Sequence, residues 1–203
     1  KFGQASRKKS VRAVPIKIIG QIMKVTALKI PDVKLIEPEV FEDERGYFFE
    51  SFNQKIFNSL IGLDINFVQD NQSRSMKGVL RGLHCQREPY DQGKLVSVLF
   101  GEIFDVAVDL RKESETFGRW LGVALSEENK KQLWIPEGFA HGFMVTSEEA
   151  VVSYKVNKYY SKNHEIVINY NDEELGIDWP DTIIKQLSSK DCLGLSLNDF
   201  RNL

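Results

Sequence analysis

The stretch Val79–Phe100, VLRGLHCQREPYDQGKLVSVLF, places His84 between an arginine and a lysine in otherwise apolar, strand-like sequence. An imidazole there can act as a general base, as a metal ligand, or as a core side chain whose nitrogens are satisfied. In a small β-barrel alternate residues point inward, so a titratable residue in step with Val and Ile is a candidate for the lumen. Three residues meet that condition. Tyr154 shares its face with Ala150, Val152 and Val156, Lys94 with Val96, Val98 and Phe100, and His84 with Leu80, Gly82 and Gln86. Each has a plainer reading as well. A tyrosine hydroxyl can find a carbonyl within a core, a lone histidine can be structural, and Lys94, just after a turn ending at Gly93, could snorkel outward. Their conjunction in one barrel is what points to proton-transfer chemistry.

A metal reading needs more ligands than the chain offers. First-row metal sites collect several His and carboxylate ligands at close spacing. The histidines are His84, His141 and His164, and the position where a His-x-His pair would place its second ligand is Gln86. No bound catalytic metal is therefore expected. Arg45 in DERGYFFESF and Arg81 in LRGLH sit beside glycines, and a planar guanidinium suits phosphate oxygens, with a surface ion pair as the alternative for either. Regular alternation puts Arg81 on the opposite face from His84. A bulge at Gly82, or a strand-end position, is needed to bring both into one site.

The elements that must carry these residues are mostly strands. GVLRGLH, GKLVSVLF, EIFDVAVDLR, RWLGVAL, GFAHGFMV and AVVSYKVNKYY recur at short spacing, separated by EPYDQG, FGE and PEGF. Many short strands with Gly/Pro punctuation predict an all-β sandwich or jelly-roll barrel. FNQKIFNSLIG spaces Phe52, Ile56, Phe57 and Leu60 as a helix would and stops at Gly62, predicting a surface helix. LSEENKKQL predicts a second, with Ser126 as its N-cap and acidic residues ahead of lysines. The segment DTIIKQLSSKDCLGLSL reads as partly helical and packed against the barrel.

With 203 residues and 42% apolar content the chain suits one domain. Residues 1–22 hold six of its 27 basic residues and no acidic one, so the remainder is mildly acidic, which argues against nucleic acid or an anionic membrane as partner. No run approaches the roughly 18 apolar residues of a membrane span, and the start lacks the features of a secretory signal. Cys85 and Cys192 form neither a disulfide framework nor a paired metal motif. A cytoplasmic protein is the expectation. Residues 1–22 are expected to be a basic leader, disordered or vector-derived, and residues 23–203, from Met23 onward, a single domain.

The motifs FEDERGYFFESFN, FVQDNQSRSMKGVLRGLHCQREPYDQGKLV, GEIFDVAVDLRKESETFGRWLGVALS, NKKQLWIPEGFAHGFMV, YKVNKYY and IDWPD…LSSKD, in that order, closely resemble the dTDP-4-dehydrorhamnose 3,5-epimerase family over about residues 23–195. The resemblance implies a cupin-like jelly-roll barrel with a few short peripheral helices, a homodimer whose neighbouring subunit contributes to the nucleotide site, and no cofactor. It implies a catalytic base at His84, its partner at Asp191, an acid at Tyr154 and an active-site lysine at Lys94. Implied contacts to a dTDP-4-keto-6-deoxyhexose are Arg45, Glu50, Gln69, Asn71, Arg81, His141, Glu165 and Lys190. Ser188 and Asp191 also match the spacing of a helix capping box. Cys85 stands where many relatives carry an aromatic residue, and its parity points away from His84.

The implied chemistry explains the residue types. In a 4-keto hexose the C4 carbonyl acidifies the hydrogens at both C3 and C5, so one ketone supports two inversions through enolates. His84 would abstract, Tyr154 would return a proton to the opposite face, Lys94 would stabilise the enolate oxygen, and Asp191 would hold the imidazole. Arg45, Arg81 and Lys190 would hold the diphosphate. The alternatives are a C3- or C5-only epimerase of a dTDP-4-keto-deoxysugar and a non-catalytic sugar-nucleotide-binding barrel, which would not need His84, Asp191 and Tyr154 together. A metal-dependent cupin oxygenase is disfavoured by the ligand count.

Overall fold

The period-two alternation resolves into two facing sheets. The computed structural model describes residues 16–18, 21–180 and 186–203. In chain order the strands are β1 (Ile16–Ile18), β2 (Gln21–Ala27), β3 (Lys34–Glu37), β4 (Phe41–Asp43), β5 (Gly46–Phe48), β6 (Gln69–Met76) and β7 (Leu80–Gln86). They continue with β8 (Lys94–Phe100), β9 (Glu102–Asp109), β10 (Trp120–Ser126), β11 (Gln132–Ile135), β12 (Phe139–Val145), β13 (Glu149–Val156) and β14 (Glu165–Val167). Helices α1 (Gln54–Ile61) and α2 (Leu197–Arg201) and 3-10 turns at Lys162–His164 and Asp191–Leu193 complete the described residues. One sheet runs β1-β2-β3-β11-β8-β13-β6, the other β10-β9-β12-β7-β14, and β4 and β5 form a separate hairpin. The architecture is the cupin-like jelly roll expected from the sequence.

Packing follows parity. Val96, Val98 and Val152 of the larger sheet meet Ile103, Ala107 and Phe143 of the smaller one in the central core. Each such side chain contributes about 1.5–3 kcal/mol on burial. The outer face of the smaller sheet, with Leu83, Cys85 and Val106, is covered by Leu175 and by Leu197 of α2. Cys85 therefore packs away from the central core, as its parity predicts. The outer face of the larger sheet is covered by α1 through Phe57 and Leu60, which pack with Leu95 and Trp134. Phe100, expected inward with Lys94, is half exposed because the β8–β13 register shifts after Val98, pairing Phe100 with Val151 and turning it off the inward face of Val98 and Val152.

Helix α1 matches its sequence signals. The Asn53 side chain accepts from Lys55 N and Ile56 N, and Gly62 closes the helix at φ +78° with its N–H donating to the Asn58 carbonyl. The helix expected after Ser126 does not form. Ser126 is the last residue of β10, paired with Glu102, and residues 127–131 make a turn into β11. Asn129 N donates to Ser126 Oγ at 3.0 Å, the Asn129 side chain accepts from Ser126 N at 3.2 Å, and Lys130 sits at φ +54°. The capping-type bonds are real, but they close a turn because the chain must cross at once to the other sheet. At the start, β1 pairs antiparallel with β2, Ile16 opposite Met23, so the sheet begins ahead of the expected boundary at Met23. The rest of the expected leader, residues 1–15, 19 and 20, lies outside the described residues.

One irregularity shapes everything that follows. His84 pairs with His141 and Arg81 with Phe143, so Gly82 and Leu83 together oppose the single residue Gly142. Such a bulge shifts the parity by one and brings Arg81 to the face of His84. Gly82 has φ +129°, and a Cβ on it would lie 2.5 Å from Gly142 Cα. A Cβ on Gly142 would lie 2.8 Å from the Arg81 carbonyl oxygen. Only glycine fits on both sides. Gly82→Ala is expected to lower the free energy of unfolding by roughly 1–3 kcal/mol, with an unchanged m-value in urea titration. Wild-type stability in that variant would show that the bulge tolerates a side chain.

Candidate active site

Three adjoining cavities of about 300, 220 and 420 Å³ share His84 as a wall. His84 and Arg81 come from β7 and His141 from β12 of the smaller sheet. Lys94 of β8 and Tyr154 of β13 come from the larger sheet. Lys94, Tyr154 and His84 all line the cavity of about 300 Å³; for His84 the bulge breaks the expected shared face with Leu80, which pairs with Met144 instead. A cavity of about 480 Å³ lined by Cys85, Leu110, Ile166 and Phe200 contains no histidine or tyrosine, so size alone does not mark the site.

Asp191 opens the 3-10 turn Asp191–Leu193 and is 3% exposed. Its backbone N–H donates to Ser188 Oγ at 3.2 Å, one of the two bonds of the expected capping box, but the N-cap of the turn is Lys190, without a side-chain cap bond, so the box itself does not form. Its carboxylate is thereby left for another partner, His84 Nε2, at 2.5 Å. Burial by itself would raise the Asp191 carboxyl, but the hydrogen bond and charge of His84, with Ser188, bring it below the ordinary carboxylate range. An ionised carboxylate only accepts, so His84 Nε2 carries a hydrogen toward Asp191, and in the neutral imidazole the lone pair is then on Nδ1.

Lys94 is buried, and its Nζ donates across the sheets to the His84 carbonyl at 3.2 Å. Burial pulls its pKa down to about 8, partly opposed by Cys85, Asp105 and Glu165. Burial pushes the Tyr154 hydroxyl up, so Tyr154 holds its proton at neutral pH. His141 and Asp105 form a second histidine–carboxylate pair, Nε2 to Oδ1 at 2.8 Å, with both residues buried. Burial lowers the His141 pKa more than Asp105 raises it, so this ring is neutral and presents an acceptor nitrogen. Asp105 escaped the sequence reading, although a signal was there: in EIFDVAVDLR it is in step with Ile103 and Ala107, which line the core.

Of the other expected contacts, Gln69 and Asn71 line the cavity of about 220 Å³ and are joined at 2.9 Å. Arg81 Nε donates to Ser75 Oγ at 2.9 Å, and Lys190 meets Glu165 at 2.7 Å. Tyr160, not singled out from the sequence, donates to the other Glu165 oxygen at 3.3 Å and lines the same space. Arg45 and Glu50 line none of the three cavities. Arg45 sits at the β4–β5 turn with its side chain 90% exposed and paired with Asp43. The buried Glu50 Oε1 has no hydrogen-bond partner among the described residues. Among those residues no three His, Cys, Asp or Glu side chains converge where they could hold a metal ion.

A family model described as dTDP-4-dehydrorhamnose 3,5-epimerase matches residues 27–199. The dTDP-4-dehydrorhamnose 3,5-epimerase of Shigella flexneri is 61% identical over 158 residues, which is 78% of this chain and 87% of that protein. The crystal structure of a dTDP-6-deoxy-D-glucose-3,5-epimerase from Legionella pneumophila, in complex with dTDP-4-keto-L-rhamnose, is 54% identical with a TM-score of 0.83, covering 87% of this chain and 93% of that one. A 3'-monoepimerase from Streptomyces bikiniensis, in complex with dTDP-quinovose, is 33% identical with a TM-score of 0.80, covering 84% and 86%. The histidine, tyrosine and lysine converging on one cavity thus sit in a chain that belongs to the dTDP-4-dehydrorhamnose 3,5-epimerase family.

Proposed function

We infer that the protein is a dTDP-4-dehydrorhamnose 3,5-epimerase, an isomerase that inverts C3 and C5 of dTDP-4-dehydro-6-deoxy-D-glucose to give dTDP-4-dehydro-L-rhamnose. The observation that carries the residue roles is the opposition across one cavity: His84 on the smaller sheet, Tyr154 and Lys94 on the larger. His84 Nδ1 takes the proton from the carbon beside the C4 ketone, and Asp191 stabilises the imidazolium that forms. The electron pair moves onto O4, where the Lys94 ammonium meets the enolate charge. The Tyr154 hydroxyl returns a proton to the other face of the carbon, and that step makes the exchange an inversion. Solvent then resets both groups, and the same base and acid serve the second carbon.

Binding follows from the cations. Arg81 and Lys190 line the cavity of about 420 Å³ with His84 and suit the diphosphate. Gln69, Asn71, His141 and Glu165 supply the remaining polar contacts. Arg45 and the exposed Tyr47 and Phe48 of the β4–β5 hairpin stand apart from the cavity. Their placement supports a homodimer in which the hairpin completes the nucleotide site of the neighbouring subunit. Among the described residues no helix is long and apolar enough to cross a membrane. That observation and the mildly acidic body support a cytoplasmic enzyme that uses neither membrane nor nucleic acid.

In D2O with the dTDP-4-keto sugar, the protein is expected to place deuterium at both C3 and C5, read by NMR of the product. Label at only one carbon would favour a mono-epimerase. His84→Asn is expected to cut this exchange by about 10²–10⁴-fold, and undiminished exchange would remove His84 as the base. Tyr154→Phe should retain exchange while losing inversion, seen as deuterated product of unchanged configuration.

Lys94 gives a pH-dependent signature. Its pKa is about 8 folded against 10.5 in a free side chain. Between those values the unfolded chain binds the extra proton, so this residue's stability contribution rises with pH, and below pH 8 its burial is a full cost. Lys94→Met removes that cost of about 3 kcal/mol and loses about 1–2 kcal/mol with the bond to the His84 carbonyl. The variant should therefore be about 1–2 kcal/mol more stable than the parent in urea at pH 7, with a margin that shrinks toward pH 10, while epimerisation is lost. A less stable variant at pH 7 would contradict the buried charge.

A further inference from the structure

Gln86 stands two residues after His84, on the same face of β7, where a metal-binding pair would carry its second histidine. It is 8% exposed and lines the cavity of about 220 Å³ together with His84, Lys94 and Tyr154. A backbone N–H can only donate, and Ser161 N donates to Gln86 Oε1 at 2.7 Å. The orientation of the amide is thereby settled, with the oxygen engaged and the NH2 left over. That nitrogen, Nε2, is buried and has no hydrogen-bond partner among the described residues.

Leaving a buried amide donor unpaired costs about 1–3 kcal/mol, and native interiors contain few such groups. The nearby acceptors are engaged elsewhere. Glu165, opposite Gln86 across β14, has one oxygen on Lys190 and the other on Tyr160. The Asn71 oxygen takes the Gln69 amide, and the Gln69 oxygen takes Tyr160 N at 3.4 Å. The donor therefore lies beside a polar cavity in which the acceptors of Glu165, Asn71 and Gln69 are engaged elsewhere.

We propose that Gln86 is a further substrate-positioning residue, donating from Nε2 to an oxygen of the bound sugar nucleotide. This rests on the epimerase reading above. The site arises from replacing a metal ligand by an amide: a second histidine would offer a lone pair to a cation, whereas the pinned amide offers two hydrogens to an oxygen. Gln86 would hold the substrate from the far side of His84, away from Arg81, and fix the reacting ring against the base from both ends of β7.

Two measurements test it. In the 15N-labelled protein, the Gln86 side-chain amide resonances, identified by their absence in Gln86→Met, should shift when dTDP or the dTDP-4-keto sugar is added. A shift with dTDP alone places the contact on the nucleotide, and a shift only with the complete sugar nucleotide places it on the sugar; both support the proposal. Resonances unmoved at saturation with either ligand overturn it. In kinetics, Gln86→Glu keeps the acceptor for Ser161 N but removes the donors, and should raise KM by about tenfold while the melting temperature stays within a few degrees. Wild-type KM and kcat in both Gln86→Glu and Gln86→Met would overturn it too. If the unaltered protein fails to exchange C3 and C5 hydrogens while binding dTDP with the amide shift, the epimerase reading fails and the Gln86 contact stands.

Discussion

Between Arg81 and His84, β7 spends two residues where β12 spends one, and the pleat loses its alternation at that point. Without the mismatch, Arg81 would turn toward the outer cluster of Leu83 and Cys85, away from His84. The bulge needs close backbone approach, and the facing pair Gly82 and Gly142 provides it. A guanidinium and an imidazole are thus held three residues apart on one face of a strand that is otherwise too regular to present both. The meeting of Arg81 and His84 on one cavity follows from this local break.

Polar groups gathered between two apolar sheets need partners, because desolvating a charge costs several kcal/mol and a neighbouring opposite charge recovers it only with good geometry. The structure meets that need in pairs: His84 with Asp191, His141 with Asp105, Glu165 with Lys190. Lys94 is the exception. Among the described residues its hydrogen bond is to the His84 carbonyl, and burial leaves it readier to lose its proton than a free lysine. A cation that the fold itself does not neutralise is suited to a site where negative charge develops transiently on the substrate. The stability given up there is of the kind that functional sites often carry.

Opposing sheets also explain how one reaction can invert rather than merely exchange. The base and its carboxylate belong to the smaller sheet and its following segment, and the protonated tyrosine and the lysine belong to the larger. Under the proposed function, a flat sugar ring between them would meet an acceptor on one face and a donor on the other. The neutral His141 beside Tyr154, with ring centroids 6.4 Å apart, adds a hydrogen-bond acceptor that does not compete for the transferred proton.

Alternation is a property of neighbouring residues, and whatever depends on it alone was legible in the sequence: the jelly-roll strands, the inward set His84, Lys94 and Tyr154, and the outward Cys85; helical spacing likewise gave α1 and its stop at Gly62. The sequence also put Gln86 where a metal-binding pair would need its second histidine, and asked for a bulge or a strand end to bring Arg81 and His84 together. Partnerships over long separations were legible only through family resemblance or not at all. Asp191 reaches His84 from 107 residues away, and no local pattern states that its carboxylate is left over after Ser188 has engaged its N–H. Asp105 read as one more strand residue until β12 was laid beside β9. The segment after Ser126 had the caps of a helix and became a turn, because the next strand belongs to the other sheet. Arg45 carried the right chemistry, and the hairpin took it away from the cavity. Sequence periodicity determines which way each side chain points, whereas the pairing of distant strands decides what it points at.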